Sequence, residues 1–336
     1  MSEPIFTRSN LTRGYSAALA SALVLSTTAI FIRHLTVTYQ MPALILAVWR
    51  EVFVSLTLLI AFAVIRPAML RISRRHIPYL LSYGFVLAIF NALWTLSVAM
   101  NGAAVSTVLA YCSTAFTVLL GWVFLRESPH AAKILVVVTT LAGCTFVAFG
   151  NQITSGTLLH LSTAGVMVGV LSGLLYAIYS LMGRSASMRG LNSWTTLFYI
   201  FSFAASFLTL FNLLTAFFPG VLTVPGAATQ PADLLWLGTA WSGWGVLLLL
   251  AAVPTLAGYG LYNVSLGHLP SSIANLIVTT EPPFTAVIAY FAFGEMLDRN
   301  QIFGSLLILC GVVCLRLYEG RRNAREVPAS TAPEVP

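Results

Sequence analysis

The chain has 336 residues, 58% of them hydrophobic and only 8% charged, and its mean hydropathy is +0.88. That balance makes lipid the solvent and excludes a soluble domain of any size. The net charge of +7 sits almost wholly in short connections, where it sets membrane orientation and calls for no nucleic acid.

A helix needs about 20 apolar residues, at about 1.5 Å each, to cross about 30 Å of hydrocarbon. Ten stretches meet that length closely enough to be read as spans. Span 1 (14–35) carries Gly14, Ala18 and Ala22 at four-residue spacing, and it has no small-residue cleavage site that would make it a signal peptide. Span 2 (42–65) holds Arg50 and Glu51 side by side. Span 3 (77–100) holds Tyr83, Asn91 and Trp94, and span 4 (104–125) holds Tyr111 and Thr114. Span 5 (131–149) leads into the 150–162 segment, the expected junction of two halves. Span 6 (163–183) has a ladder of Gly165, Gly169 and Gly173, followed by Tyr176 and Tyr179. Small residues four apart let helix backbones approach closely in lipid.

Span 7 (193–218) precedes the longest connection, 219–240, which is rich in Pro, Gly and Thr and has Asp233 as its one charge. Span 8 (241–266) contains Tyr259, Tyr262 and Asn263. Span 9 (273–294) contains Asn275, Thr280 and Glu281, with Pro282 and Pro283 next; span 10 (301–318) contains Cys310 and Cys314. The tail, 319–336, is expected to be a disordered cytoplasmic segment. Cys112, Cys144, Cys310 and Cys314 all fall inside spans and read as small packing residues, with no disulfide or metal set among them.

Shifting the chain by 168 residues places its first half on its second without a gap. Leu93, Ser97, Phe116, Glu127 and Gly143 then fall on Leu261, Ser265, Phe284, Glu295 and Gly311. Two repeats are therefore expected, 14–149 and 163–318, of five spans each. An odd number of spans forces the second repeat to start on the opposite face, which gives an inverted topology. Fourteen of the seventeen basic residues lie in segments that are cytoplasmic if the N-terminus is inside, against Arg33 and Arg299 outside and Arg50 within a span. The expected fold is thus an all-α polytopic membrane protein with ten helices, N-in and C-in.

The candidate site follows from polar groups within spans, because a charge near the bilayer centre costs about 2.5–3.5 kcal/mol on insertion scales. Arg50, Glu51 and Glu281 are the ionisable groups there. Arg50 and Glu51, being adjacent, diverge by about 100° on a helix and are expected to engage neighbouring helices. Pro282 and Pro283 remove two backbone donors, which loosens the helix around Glu281. Under the repeat Asn91 matches Tyr259, and Trp94 matches Tyr262, so an aromatic and amide cluster stands at equal depth in both halves. The expected substrate-binding set is Asn91, Trp94, Tyr111, Tyr259, Tyr262, Asn263, Thr280, Glu281, Tyr83, Tyr176 and Tyr179. Apolar walls with a few hydrogen-bonding groups suit a small amphipathic molecule.

The five histidines lie at span ends or in loops, and no nucleophile, metal or cofactor constellation falls within a span. An enzyme is therefore not expected, nor a cofactor or metal. A channel or structural membrane protein is the alternative of a different class. Sugar phosphates want several cations, and Arg50 stands alone beside Glu51.

The sequence from Glu281-Pro282 to Phe293-Gly294-Glu295, with Phe124-Leu125-Arg126-Glu127 at the matching place in the first half, resembles the EamA type of the drug/metabolite transporter superfamily. Thr114 stands where the first repeat of that family usually has proline. The resemblance covers residues 14–318, and the aromatic content resembles the branch of aromatic amino-acid exporters. It implies a carrier in the cytoplasmic (inner) membrane that exports small metabolites; membrane lipid is the expected surroundings, and a monomer is the expected state. It also implies a cavity lined by spans 1, 3, 4, 6, 8 and 9. A cation-selective multidrug exporter using Glu281 is the rival within the same family.

Overall fold

The computed structural model describes residues 8–101, 106, 109–125, 131–155, 163–218, 224–281, 283–284, 287–288 and 299–326. All of the regular structure described is helical. In chain order the elements are α1 (Arg8–Leu25), α2 (Thr28–Thr38), α3 (Ala43–Ile65), α4 (Ile77–Asn101), α5 (Ser113–Leu125) and α6 (Ala131–Ser155). The second half contributes α7 (Thr163–Met188), α8 (Ser193–Phe217), α9 (Trp241–Leu250), α10 (Leu256–His268), α11 (Ser271–Val278) and α12 (Arg299–Glu326). Among the described residues, six helical runs are long and apolar enough to cross a membrane: Leu11–Thr38, Ala43–Ile65, Arg74–Met100, Ala164–Met188, Ser193–Phe217 and Trp241–His268. Leu109–Phe124, Lys133–Phe146 and Ile302–Gly311 are shorter apolar helices. The sequence motifs at Arg126–Glu127, Pro282 and 293–295 lie outside the described residues.

Two spans are interrupted, each for a local chemical reason. The first breaks between α1 and α2, where the Ser26 and Thr27 hydroxyls donate to the carbonyls of Leu23 (2.6 Å) and Val24 (2.8 Å). Such back-bonding competes with the helical ladder and bends it. The other is a π-helical turn, Ala251–Thr255, around Pro254. Proline has no N–H to donate, and the Thr255 hydroxyl bonds the Leu250 carbonyl at 2.9 Å. α12, by contrast, continues past Tyr318 to Glu326, through Glu319, Arg321 and Arg322.

The helices interleave between the halves. α1 packs on α10 and α11, α3 on α8, α4 on α7 and α8, α5 on α7 and α11, and α6 on α12. Matched helices run antiparallel to each other. Ser55 meets Ser202 while Phe62 meets Phe198; Tyr83 meets Asn263 while Asn91 meets Tyr259; Thr117 meets Asn275 while Tyr111 meets Glu281. The α6–α12 crossing shows the same relation at its glycines. A Cβ on Gly143 would lie 2.7 Å from the Gly304 carbonyl and 2.8 Å from Ile308 Cγ1; one on Gly311 would lie 3.1 Å from Thr140 Oγ1 and 3.4 Å from Val136 Cγ1. Under the 168-residue shift, Gly143 corresponds to Gly311, Val136 to Gly304 and Thr140 to Ile308. One contact is therefore made twice.

The long connection is tied down where it is described. Gly226 accepts from Leu44 N–H at 2.9 Å, Asn212 Oδ1 accepts from Ala228 N–H at 3.1 Å, and the indoles of Trp49 and Trp236 donate to Leu234 and Tyr39 carbonyls. Gly226 has φ +78, a left-handed conformation open to glycine. Slight desolvation pushes the Asp233 carboxyl up, but hydrogen bonds from Thr229 and Gln230 outweigh it and hold the group below the usual range. Of the cysteines, Cys144 is buried, whereas Cys310 and Cys314 are exposed on α12 and do not pack in the core.

Gly143→Ala should lower the thermal unfolding midpoint in detergent by several degrees, since its Cβ meets a backbone carbonyl and overpacking costs about 1–3 kcal/mol. Gly245→Ala, which meets nothing within 4 Å, should leave it unchanged. Equal midpoints for the two variants would contradict the close crossing.

Candidate binding cavity

A cavity of about 560 Å³, counting the part open to solvent, lies between the halves. Its wall is made by Leu25 and Thr28 at the α1–α2 break, Arg50 on α3, Phe90 and Trp94 on α4, Ala110 and Tyr111 just before α5, Tyr176 on α7, Tyr259 on α10, Val278 on α11, and Glu281.

Close helix approaches position these side chains. A Cβ on Gly173 would lie 2.9 Å from the Leu109 carbonyl and 3.1 Å from that of Ala110, so the bare glycine lets the segment carrying Tyr111 sit against α7. Gly258 does the same for the α1–α2 break, since a Cβ there would lie 2.6 Å from Leu25 Cδ2. Ser21 Oγ adds a 2.8 Å hydrogen bond to the Gly258 carbonyl.

The charged groups form two stations. Arg50 is 1% exposed and Glu51 is fully buried. Their contact is long: Arg50 Nη2 lies 3.4 Å from Glu51 Oε1, as the divergence of adjacent helical residues requires. Glu51 turns instead to the neighbouring α4, where Asn91 Nδ2 donates to Oε1 at 2.5 Å. Asn91 in turn accepts from the Tyr259 hydroxyl at 3.4 Å. Arg50 faces the cavity, with its guanidinium carbon 5.8 Å from the Trp94 ring centre. At the second station the Tyr111 hydroxyl donates to Glu281 Oε2 at 2.8 Å.

The residues expected at the site divide into layers. Trp94, Tyr111, Tyr176, Tyr259 and Glu281 line the cavity, as does Arg50. Tyr83, Tyr179, Tyr262 and Asn263 stand behind them. Asn263 Nδ2 donates to the Tyr179 hydroxyl at 2.6 Å, Asn263 Oδ1 accepts from Tyr83 at 3.3 Å, and Tyr262 stacks on Tyr176 at 5.7 Å. Asn91 and Glu51 brace Arg50 from the same hidden position. The Thr280 hydroxyl, in the turn after α11, is spent on the Ile277 carbonyl of that helix. Phe90, Leu25, Thr28, Ala110 and Val278 were not anticipated. The run Ser26-Thr27-Thr28 inside an apolar span was the available signal, for it breaks the helix and leaves buried Thr28 Oγ1 without a partner among the described residues.

Along one side of the cavity a polar cluster joins four helices. Asn275 on α11 accepts from Ser113 at 3.2 Å and donates to Thr117 at 2.9 Å, both on α5, and lies 3.4 Å from Ser180 on α7. Ser180 shares a 2.6 Å hydrogen bond with Tyr262 on α10. Buried hydroxyls and amides with such mutual satisfaction rigidify the contact among these helices.

The profile of the EamA-like transporter family matches residues 12–149 and 163–317. An uncharacterized transporter of Synechocystis is 28% identical over 240 residues, covering 70% of this chain and 65% of the relative. An uncharacterized transporter of Archaeoglobus fulgidus is 27% identical over 151 residues, covering 45% of this chain and 47% of the relative; the chain thus spans less than two thirds of the length of each of these two relatives. The threonine/homoserine exporter RhtA of Escherichia coli is 25% identical over 248 residues, 74% of each chain. A crystal structure shares the fold with a TM-score of 0.71 at 15% identity, over 94% of this chain and 99% of the other.

Removing one member of the buried ion pair leaves an uncompensated charge, which costs about 3–5 kcal/mol, whereas exchanging both for apolar groups is often neutral. Glu51→Ala should accordingly lower the detergent unfolding midpoint well below that of the double variant Arg50→Met, Glu51→Met. Similar midpoints would show that the pair is not coupled.

Proposed function

The chain belongs to the EamA-like transporter family, a multi-pass membrane transporter and not an enzyme, and from that premise we propose that it exports small amphipathic metabolites by alternating access. The substrates in this reading are neutral amino acids, aromatic ones among them. The observation that carries it is a single cavity built by both halves, with Arg50 and Glu281 on one wall system and five aromatic rings around them. A zwitterion with an apolar side chain matches that surface, each good aromatic contact contributing about 0.5–1.5 kcal/mol. The likeness to a threonine/homoserine exporter supports amino acids as the class.

Ten spans in two inverted repeats, N-in and C-in, complete the proposal. The antiparallel pairing of matched helices and the cytoplasmic bias of basic residues both support it. In that orientation the Asn275 cluster lies on the cytoplasmic side. Because one chain builds the whole cavity, a monomer in the cytoplasmic membrane suffices. The rival reading, a cation exporter working through Glu281, rests on that carboxylate alone.

Proteoliposomes should exchange labelled L-phenylalanine and L-threonine, and overproducing cells should resist fluorinated phenylalanine. Flux of organic cations alone, abolished by Glu281→Gln, would replace this function with the rival. For the topology, a cysteine at Ser73 should react with impermeant reagent only from the cytoplasmic side and one at Ala232 only from outside. Labelling of both from the same face would overturn the inverted arrangement.

A further inference from the structure

We propose that Arg50 is the carboxylate receptor of the cavity, so that the transporter selects α-amino acids over the corresponding amines and amino alcohols. This rests on the reading of the cavity as an amino-acid site and names the residue that would make the choice.

A guanidinium carries five N–H donors in a planar fork and has no acceptor. The donors of Arg50 are underused. One makes the long 3.4 Å contact with Glu51, and Nε has no partner among the described residues although it is buried. A buried donor left unmade is costly, and a cation with spare donors on a cavity wall is completed by an anionic acceptor arriving from the cavity. The aromatic face of Trp94, 5.8 Å from the guanidinium carbon, limits where the fork can swing.

Glu51 sets the kind of anion. Asn91 holds its Oε1 at 2.5 Å behind Arg50, away from the cavity lining, so Glu51 reaches Arg50 only through the long Nη2 contact. Its charge offsets part of that on Arg50. What remains suits a single carboxylate and not a phosphate dianion, which would need further cations. Glu51 and Asn91 are positioning residues in this account. The amino group of the same molecule then has a carboxylate to meet in Glu281, which the Tyr111 hydroxyl orients at 2.8 Å. A molecule bearing both groups engages both stations, and an amino alcohol engages only one.

The test compares L-phenylalanine with L-phenylalaninol, and L-threonine with L-threoninol, as competitors of labelled amino-acid exchange in proteoliposomes. The wild-type protein should prefer each acid over its alcohol by at least about tenfold, because a site built to hydrogen-bond a group rejects the analogue that lacks it. Arg50→Gln should weaken the acids by that factor and leave the alcohols nearly unchanged, which removes the preference. Should Arg50→Gln fail to fold with Glu51 uncompensated, the double variant Arg50→Gln, Glu51→Gln carries the same expectation. If neither variant folds, the wild-type comparison decides. Wild-type protein that binds acid and alcohol equally would overturn the assignment while leaving amino-acid export in place, as would a neutral variant that keeps the preference. Absence of any amino-acid exchange would instead remove the function on which the inference rests.

Discussion

In hydrocarbon a polar side chain has no water to turn to, so it must find its partner inside the protein. In this chain that partner is repeatedly in the other half. Ser55 finds Ser202, Tyr83 finds Asn263, Asn91 finds Tyr259, Tyr111 finds Glu281, and Asn275 finds Ser113 and Thr117. Each half is therefore polar on the face that meets the other and apolar toward lipid. The cavity is one place on that shared face where the mutual satisfaction is incomplete, at Thr28 Oγ1 and Arg50 Nε. Asn91 and Tyr259 make the point sharply, for they are matched positions bonded to each other, as occurs where a two-fold relation passes between them.

Helix association in lipid relies on close backbone approach, and the glycines decide where it happens. Gly173 and Gly258 bring the Tyr111 segment and the α1–α2 break to the cavity edge, and Gly143 and Gly311 clamp α6 to α12. The α1–α2 break and the Pro254 turn add irregular backbone at the depth of the site. Non-helical backbone is tolerated in a membrane where protein or a cavity surrounds it. Rigid two-sided packing with an irregular, partly polar centre is the mechanical setting that rocking of one half against the other requires.

Much of this is legible in the amino-acid sequence. Lipid leaves a blunt compositional mark, and the 168-residue shift placed Asn91 opposite Tyr259 and Gly143 opposite Gly311. The breadth of the site was not legible. Tyr83, Tyr176, Tyr179, Tyr259 and Tyr262 carry the same chemistry in the same apolar context, yet only Tyr176 and Tyr259 face the cavity. Which of them does so depends on the rotation of each helix about its axis, and that is set by contacts of high sequence separation. The same rotation separates Arg50, turned to the cavity, from Glu51, turned to α4. Thr28 was overlooked because a hydroxyl in an apolar run ordinarily bonds its own helix, as Ser26 and Thr27 do.

The central claim is that the cavity between the halves is the transport path. The most direct measurement is substrate protection of a thiol placed on its wall: Thr28→Cys, a nearly isosteric change, in protein whose native cysteines are replaced by serine or alanine. Saturating L-phenylalanine or L-threonine should slow its modification by a small methanethiosulfonate reagent severalfold, and modification should block exchange. An unchanged modification rate in protein that transports these amino acids would place the path elsewhere.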